Sequence, residues 1–192
     1  MITPRADMVE EEHSGTDAGG DGPIRSEPIG TERLVLVPLL AEHAGEMAAV
    51  LSDPELHAFI GGSPATPGEL RSRYERLVAG SPDPGVSWHN WVIRLRGEEC
   101  LAGTVQATVG TGENGRVAEV AWVVGTPWQG RGIATEAARG LVAWLRRQPV
   151  RSVVAHIHPG HRASAAVASA AGLAPTDRWQ DGEVRWELEI GG

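Results

Sequence analysis

Apolar and polar positions change period several times along this 192-residue chain, and each change marks an element. Residues 1–28 show no apolar period. Glu10, Glu11, Glu12, Gly15, Gly19, Gly20, Gly22 and Pro23 cannot build a core, so a disordered leader is expected. The run Leu34-Val35-Leu36-Val37 reads as a first strand, ended by Pro38. Residues 41–51 read as a helix that Ser52-Asp53-Pro54 breaks, and residues 54–59 allow a short further helical turn. Residues 67–79 form a helix with Pro67 at its start and Gly80 after its end.

Period-two patterning then takes over. Residues 88–96, 101–109 and 117–124 read as three strands of an antiparallel meander, with a turn at 110–115. A Gly-rich segment and a long helical pattern over 133–147 follow. Residues 151–157 return to strand. A crossover through the helix makes that strand a candidate parallel neighbour of 117–124. Residues 164–171 form a small-residue helix stopped by Gly172, and 183–190 alternate as a final strand. One domain over residues 29–192 accounts for the pattern.

The Gly-rich segment, Gln129-Gly130-Arg131-Gly132-Ile133-Ala134, sits between a strand and a helix. Such a turn aims several backbone N–H groups one way, and the positive end of the helix lies behind them, so it suits a phosphate or pyrophosphate. Three ligands compete. A dinucleotide site places its glycines early in a βαβ unit, whereas this turn follows a meander. A P-loop closes on Gly-Lys-Ser/Thr, and the chain contains no lysine. A coenzyme A pyrophosphate is the third.

Composition narrows the setting. The apolar fraction is 41%, and no apolar run approaches the roughly 20 residues that span a bilayer. A single cysteine, Cys100, fits a reducing compartment, and a cytoplasmic location is expected. The net charge of −8 argues against a broad nucleic-acid footprint. Cys100 precedes an apolar strand and reads as core. His156, His158 and His161 share a segment without Asp, Glu or Cys beside them, so no metal site is expected.

The order and spacing of these segments resemble the GNAT acetyltransferase superfamily, in particular its RimJ/RimL-like N-acetyltransferase branch. Thr31-Glu32-Arg33-Leu34-Val35-Leu36 is similar to that branch's first strand. Gln129, Gly132 and Ala134 stand at the positions of the superfamily's acetyl-CoA signature, Q/R-x-x-G-x-G/A. His158 to Ser164 and Ala171-Gly172-Leu173 resemble its second motif. The resemblance covers nearly the whole chain outside the leader. It implies an α/β (α+β) fold, a splayed, mixed and mostly antiparallel sheet flanked by helices.

It also implies the site. Backbone groups near Trp122, Val123 and Val124 would hold the pantetheine arm of acetyl-CoA. Gln129, Gly130, Arg131, Gly132, Ile133 and Ala134 would cradle the pyrophosphate, with Thr135 adding a hydroxyl or capping the helix. Glu119 is the candidate base, with His89 and His57 as rivals. The superfamily's tyrosine donor position is Ala168 here, so Ser164 is the candidate proton donor to the thiolate. His161 stands where an asparagine is usual and is a candidate cofactor contact. Phe59, Trp88 and His89 are candidate acceptor-pocket residues.

The implied reaction is direct acetyl transfer from acetyl-CoA to a primary amine, of a small molecule or a protein N-terminus. Two alternatives remain: a non-catalytic acyl-CoA sensor on the same fold, and a transferase using another acyl donor, such as a longer acyl-CoA or an aminoacyl-tRNA. Membrane and nucleic-acid partners are not expected; a homodimer is left open.

Overall fold

The computed structural model describes residues 24–191. Eight strands form one sheet in the order β1-β2-β3-β4-β5-β6-β8-β7. Strand β1 (Ile29–Gly30) pairs antiparallel with β2 (Leu34–Pro38), which pairs with β3 (Ser87–Leu95). The meander continues through β4 (Leu101–Gly112) and β5 (Gly115–Val124). The turn expected at 110–115 is shorter, because Gly110 and Thr111 stay in the ladder opposite Val117 and Arg116. The ladder closes on the Gly112–Gly115 pair, where a Cβ on Gly112 would meet Val117 Cγ2 at 2.5 Å, so this close approach requires a glycine.

Strand β6 (Ser152–Ile157) is the expected parallel neighbour of β5, and β8 (Glu183–Glu189) closes antiparallel onto β6. An additional strand, β7 (Ala174–Gln180), lies at the edge. Its pattern is mostly exposed, it contains Pro175, and its register with β8 slips between Pro175 and Trp179. Proline is tolerated at a sheet edge, where no inward alternation announces a strand.

The helices divide between the two faces. On one, α4 (Ile133–Leu145) and α5 (Arg162–Ala170) pack on the larger core. Helix α4 buries seven residues there, among them Ala137, Leu141 and Leu145 at helical spacing. On the other face lie α1 (Ala44–Val50), preceded by a 3-10 turn, and α3 (Pro67–Ala79), over Met47, Leu70, Tyr74 and Val92. Helix α3 starts in a capping box between Thr66 and Glu69, with Pro67 at its first position. Such caps contribute about 1 kcal/mol. The short α2 (His57–Ile60) follows Pro54.

Residues 24–28, grouped with the leader by composition, are built into the domain. Ile24 packs against the larger core, Glu27 accepts from the Trp91 indole at 2.9 Å, and the Ser26 hydroxyl meets His89. Residues 1–23, the rest of that leader, lie outside the described residues.

Candidate active site

Strands β5 and β6 pair only at three positions, Val117–Ser152, Ala118–Val153 and Glu119–Val154. Beyond them β5 stays with β4 as far as Val124, while β6 follows β8 to Ile157. The sheet therefore splits after Glu119. The β5 edge from Val120 onward faces the split rather than a ladder partner, leaving backbone N–H and C=O groups to a ligand. A slot of about 50 Å³ fills the split, lined by Ala121 and Trp122 on one side and His156, His161 and Ser164 on the other.

On the α4 face the slot opens into a cleft of about 620 Å³. Trp122, Val123, Val124, Gln129, Gly130, Gly132, Ile133, Ala134, Thr135, His161 and Ser164 all line it. The Gly-rich turn owes its shape to backbone conformation. Gly130 and Gly132 have φ of 71° and 77°, in the left-handed region that other residues enter at a cost. A Cβ on Gly130 would project into open space, so the turn presents bare backbone. Gly132 is the N-cap of α4, and the next N–H groups, of Ile133, Ala134 and Thr135, have no carbonyl within the helix to bond. Their dipoles and the roomy cleft suit a pyrophosphate-bearing ligand. Arg162, at the start of α5, adds a cation to the opposite wall, a contributor the sequence reading missed.

Neighbouring elements hold the turn in place. The Gln129 side chain donates to the Val124 carbonyl at 3.0 Å. Glu136, in the first turn of α4, accepts from the Thr31 hydroxyl at 2.6 Å, and from the Arg33 backbone and Nε at 2.7 Å each. Burial works against the charged carboxylate, yet these bonds together outweigh it and hold the pKa below the usual range. Arg33 also donates to the Arg131 carbonyl. The Arg131 side chain is absent from the cleft wall and pairs with Glu98.

On the opposite face of the sheet, a concavity of about 260 Å³ contains Trp88, Glu119 and His156. Trp88, Thr108 and Glu119 are cross-strand neighbours in register. Glu119 Oε1 lies 3.0 Å from His156 Nδ1, with the two side chains 26% and 7% exposed. His156 lines both this concavity and the slot, and so connects them. From sequence, His156 is weighed only with His158 and His161 for a metal site. The usable signal was strand alternation: with Glu119 opposite Val154, the residue two further along β6 shares Glu119's face.

Other expectations fall differently. Among the described residues, His89 lines neither the cleft, the slot nor the concavity. It is 3% exposed, stacks near Trp91 and Trp144, and bonds the hydroxyls of Ser26 and Ser87 at 3.0 and 2.9 Å. Alternation on β3 turns it to the α4 face, away from Trp88, and burial pushes its pKa down to about 4. His57 is buried too, bonded to the carbonyls of Leu51 and Gly61, and holds its own loop. The backbone of Phe59 lies in α2; its side chain lies outside the described residues. His161 caps α5 by accepting from Ser164 N–H at 3.3 Å. Ala168 is fully buried in the core, whereas Ser164 reaches both cleft and slot. Among the described residues, no group of three or more His, Cys, Asp or Glu could hold a metal ion, and no helix is long and apolar enough to cross a membrane.

This split sheet, with a Gly-rich turn at the mouth of its cleft, defines an acetyltransferase fold. A family model described as "Acetyltransferase (GNAT) domain" matches residues 33–174, and the chain belongs to that family. No curated protein gives a significant match. Among solved structures, a GNAT-family acetyltransferase from Bacillus anthracis is similar, with a TM-score of 0.71 at 19% identity, over 85% of this chain and 99% of that one. RimL, a ribosomal-protein alpha-N-acetyltransferase in complex with coenzyme A, gives 0.69 at 17%, over 85% and 98%. Spermidine N-acetyltransferase from Vibrio cholerae, in complex with CoA and spermine, gives 0.66 at 14%, over 82% and 96%.

Proposed function

We propose that this chain transfers acetyl from acetyl-CoA to a primary amine by direct attack, with donor and acceptor entering from opposite faces of the sheet. The observation that carries this reading is the slot between β5 and β6, which joins the 620 Å³ cleft to the concavity holding Glu119 and His156. Acetyl-CoA, the donor used by the family, supplies an activated thioester. The chain's own groups do the rest. Backbone N–H groups from Gly130 to Thr135 hold the pyrophosphate, and the open β5 edge from Ala121 to Val124 takes the amide-rich arm by strand-like bonding.

The amine must lose a proton to complete the transfer. With Glu119 accepting from His156 Nδ1–H, the imidazole keeps Nε2 as its proton acceptor, beside the slot. We therefore assign His156 as the base, reached directly or through one water, and Glu119 as the residue that orients it. Ser164 is the hydroxyl placed to donate toward the departing thiolate.

Thiol release from acetyl-CoA across an amine panel, with mass detection of acetylated product, tests this reading. Turnover of at least one amine is expected. Tight acetyl-CoA binding with no turnover on any amine would instead favour a sensor.

A further inference from the structure

A fourth cavity, of about 50 Å³, lies between α3 and the sheet face that carries Glu119. It meets the cofactor cleft at Trp122 and Val123, and the slot at Ala121 and Trp122. Its floor includes Asn90 and Gln106, cross-strand neighbours, with Gln106 opposite Ala121. On the face of Trp88, Thr108 and Glu119, Asn90 and Gln106 lie one step further along their strands and Thr104 two.

Helix α3 contributes Arg73 and Tyr74 to this cavity. Tyr74 is 4% exposed, and its hydroxyl is buried without a hydrogen-bond partner. A buried hydroxyl left unpaired is costly. Arg73 is half-buried, and among the described residues its guanidinium makes no ion pair or hydrogen bond. Removal from water disfavours its charge, which is held below the ordinary arginine range chiefly by that desolvation. Among the described residues, no acidic residue lines the cavity, although the chain carries a net charge of −8. An arginine fork, an orphaned hydroxyl and two amides, with no competing carboxylate, together lack one group: a small oxyanion.

We propose that this cavity binds the carboxylate of the acceptor, and that the acceptor is a small amine bearing a carboxylate, an α-amino acid. Arg73 and Tyr74 donate to the carboxylate, and the adjoining amine then faces the slot at Ala121 and Trp122. A volume of about 50 Å³ is enough for one such group. The inference rests on the transferase reading above, but its anion site is testable by binding alone.

The CoA-loaded protein is titrated calorimetrically with α-amino acids and with the matching amino-acid amides. Binding of one or more acids, with the amides weaker by roughly 10- to 100-fold, is expected. Arg73→Gln should abolish the difference between acid and amide. Tyr74→Phe should weaken the acid about tenfold without lowering the melting temperature, because an unpaired buried hydroxyl is being removed. Equal binding of acid and amide, no binding of any acid, or an unchanged preference in Arg73→Gln would overturn the proposal. Preference for a tetrapeptide with an N-terminal Asp and an amidated C-terminus over every free amino acid would also overturn it, pointing to a protein acceptor. Acid binding that depends on Arg73 but gives no acetylated product would uphold the anion site while refuting the transfer reaction.

Discussion

Arg33 Nε lies 2.7 Å from Glu136 Oε2, so the first long strand is tied directly to the first turn of the helix behind the Gly-rich turn. The exposed half of that contact contributes little by itself, since Arg33 is 51% exposed. The carboxylate, however, also takes the Thr31 hydroxyl and the Arg33 backbone N–H. Glu136→Ala should destabilise the domain by about 1–2 kcal/mol in urea unfolding. It should also weaken acetyl-CoA several-fold in calorimetry, because the turn loses its prop. Unchanged cofactor affinity would mean that the turn holds its shape unaided.

Gly132→Asp should abolish acetyl-CoA binding. It adds bulk and negative charge at a left-handed N-cap where an anion is to sit. Gly132→Asn has nearly the same shape and tolerates left-handed φ, so it should bind measurably better than the Asp variant. Equal affinities in calorimetry would remove the pyrophosphate from this turn.

His156→Gln should lower kcat by roughly 100-fold or more at neutral pH, and Glu119→Gln by about 10- to 100-fold, both sparing acetyl-CoA affinity. The double variant should be no worse than His156→Gln alone, since Glu119 acts through the imidazole. Loss of turnover in Glu119→Gln with full activity in His156→Gln would make Glu119 itself the base.

His89 predicts a pH dependence of stability. Its pKa falls from 6.5 to about 4 on folding, so between those values the unfolded chain binds more protons. Stability should be flat above about pH 7 and fall by about 3 kcal/mol as pH drops towards 4. His89 stacks near Trp91 and Trp144, with Ser26 and Ser87 on its two nitrogens, and among the described residues no acidic side chain bonds it to hold an imidazolium. Urea midpoints between pH 7 and pH 5 should show the slope, and His89→Gln should reduce it, leaving the part contributed by His43 and His161, whose burial also lowers their pKa. Carboxylates such as Glu136, with pKa held low, lose their contribution only as pH falls below about 4.5.

Much of the cleft wall was legible because it is local. A strand, two glycines and an amphipathic helix are consecutive in the chain, and turn geometry follows from residues a few positions apart. The same holds for the helix over 67–79, bounded by Pro67 and Gly80. The edge strand β7 was not legible, since its exposure carries no period. His89 and Trp88 could not be told apart either: adjacent strand residues face opposite sides, and composition does not say which side is core.

The sequence by itself determined most of the order of elements, the Gly-rich turn between strand and helix, and the family resemblance, because each depends on short-range spacing. Tertiary structure alone decided what faces that turn across the sheet. The parallel register of β5 and β6 brings His156 to Glu119 across 37 residues, and the end of that pairing after Glu119 opens the slot. Packing of α3 on the sheet turns Arg73 and Tyr74 toward Ala121 and Trp122. Both depend on hydrogen-bond register and helix docking between distant segments, which no local period encodes.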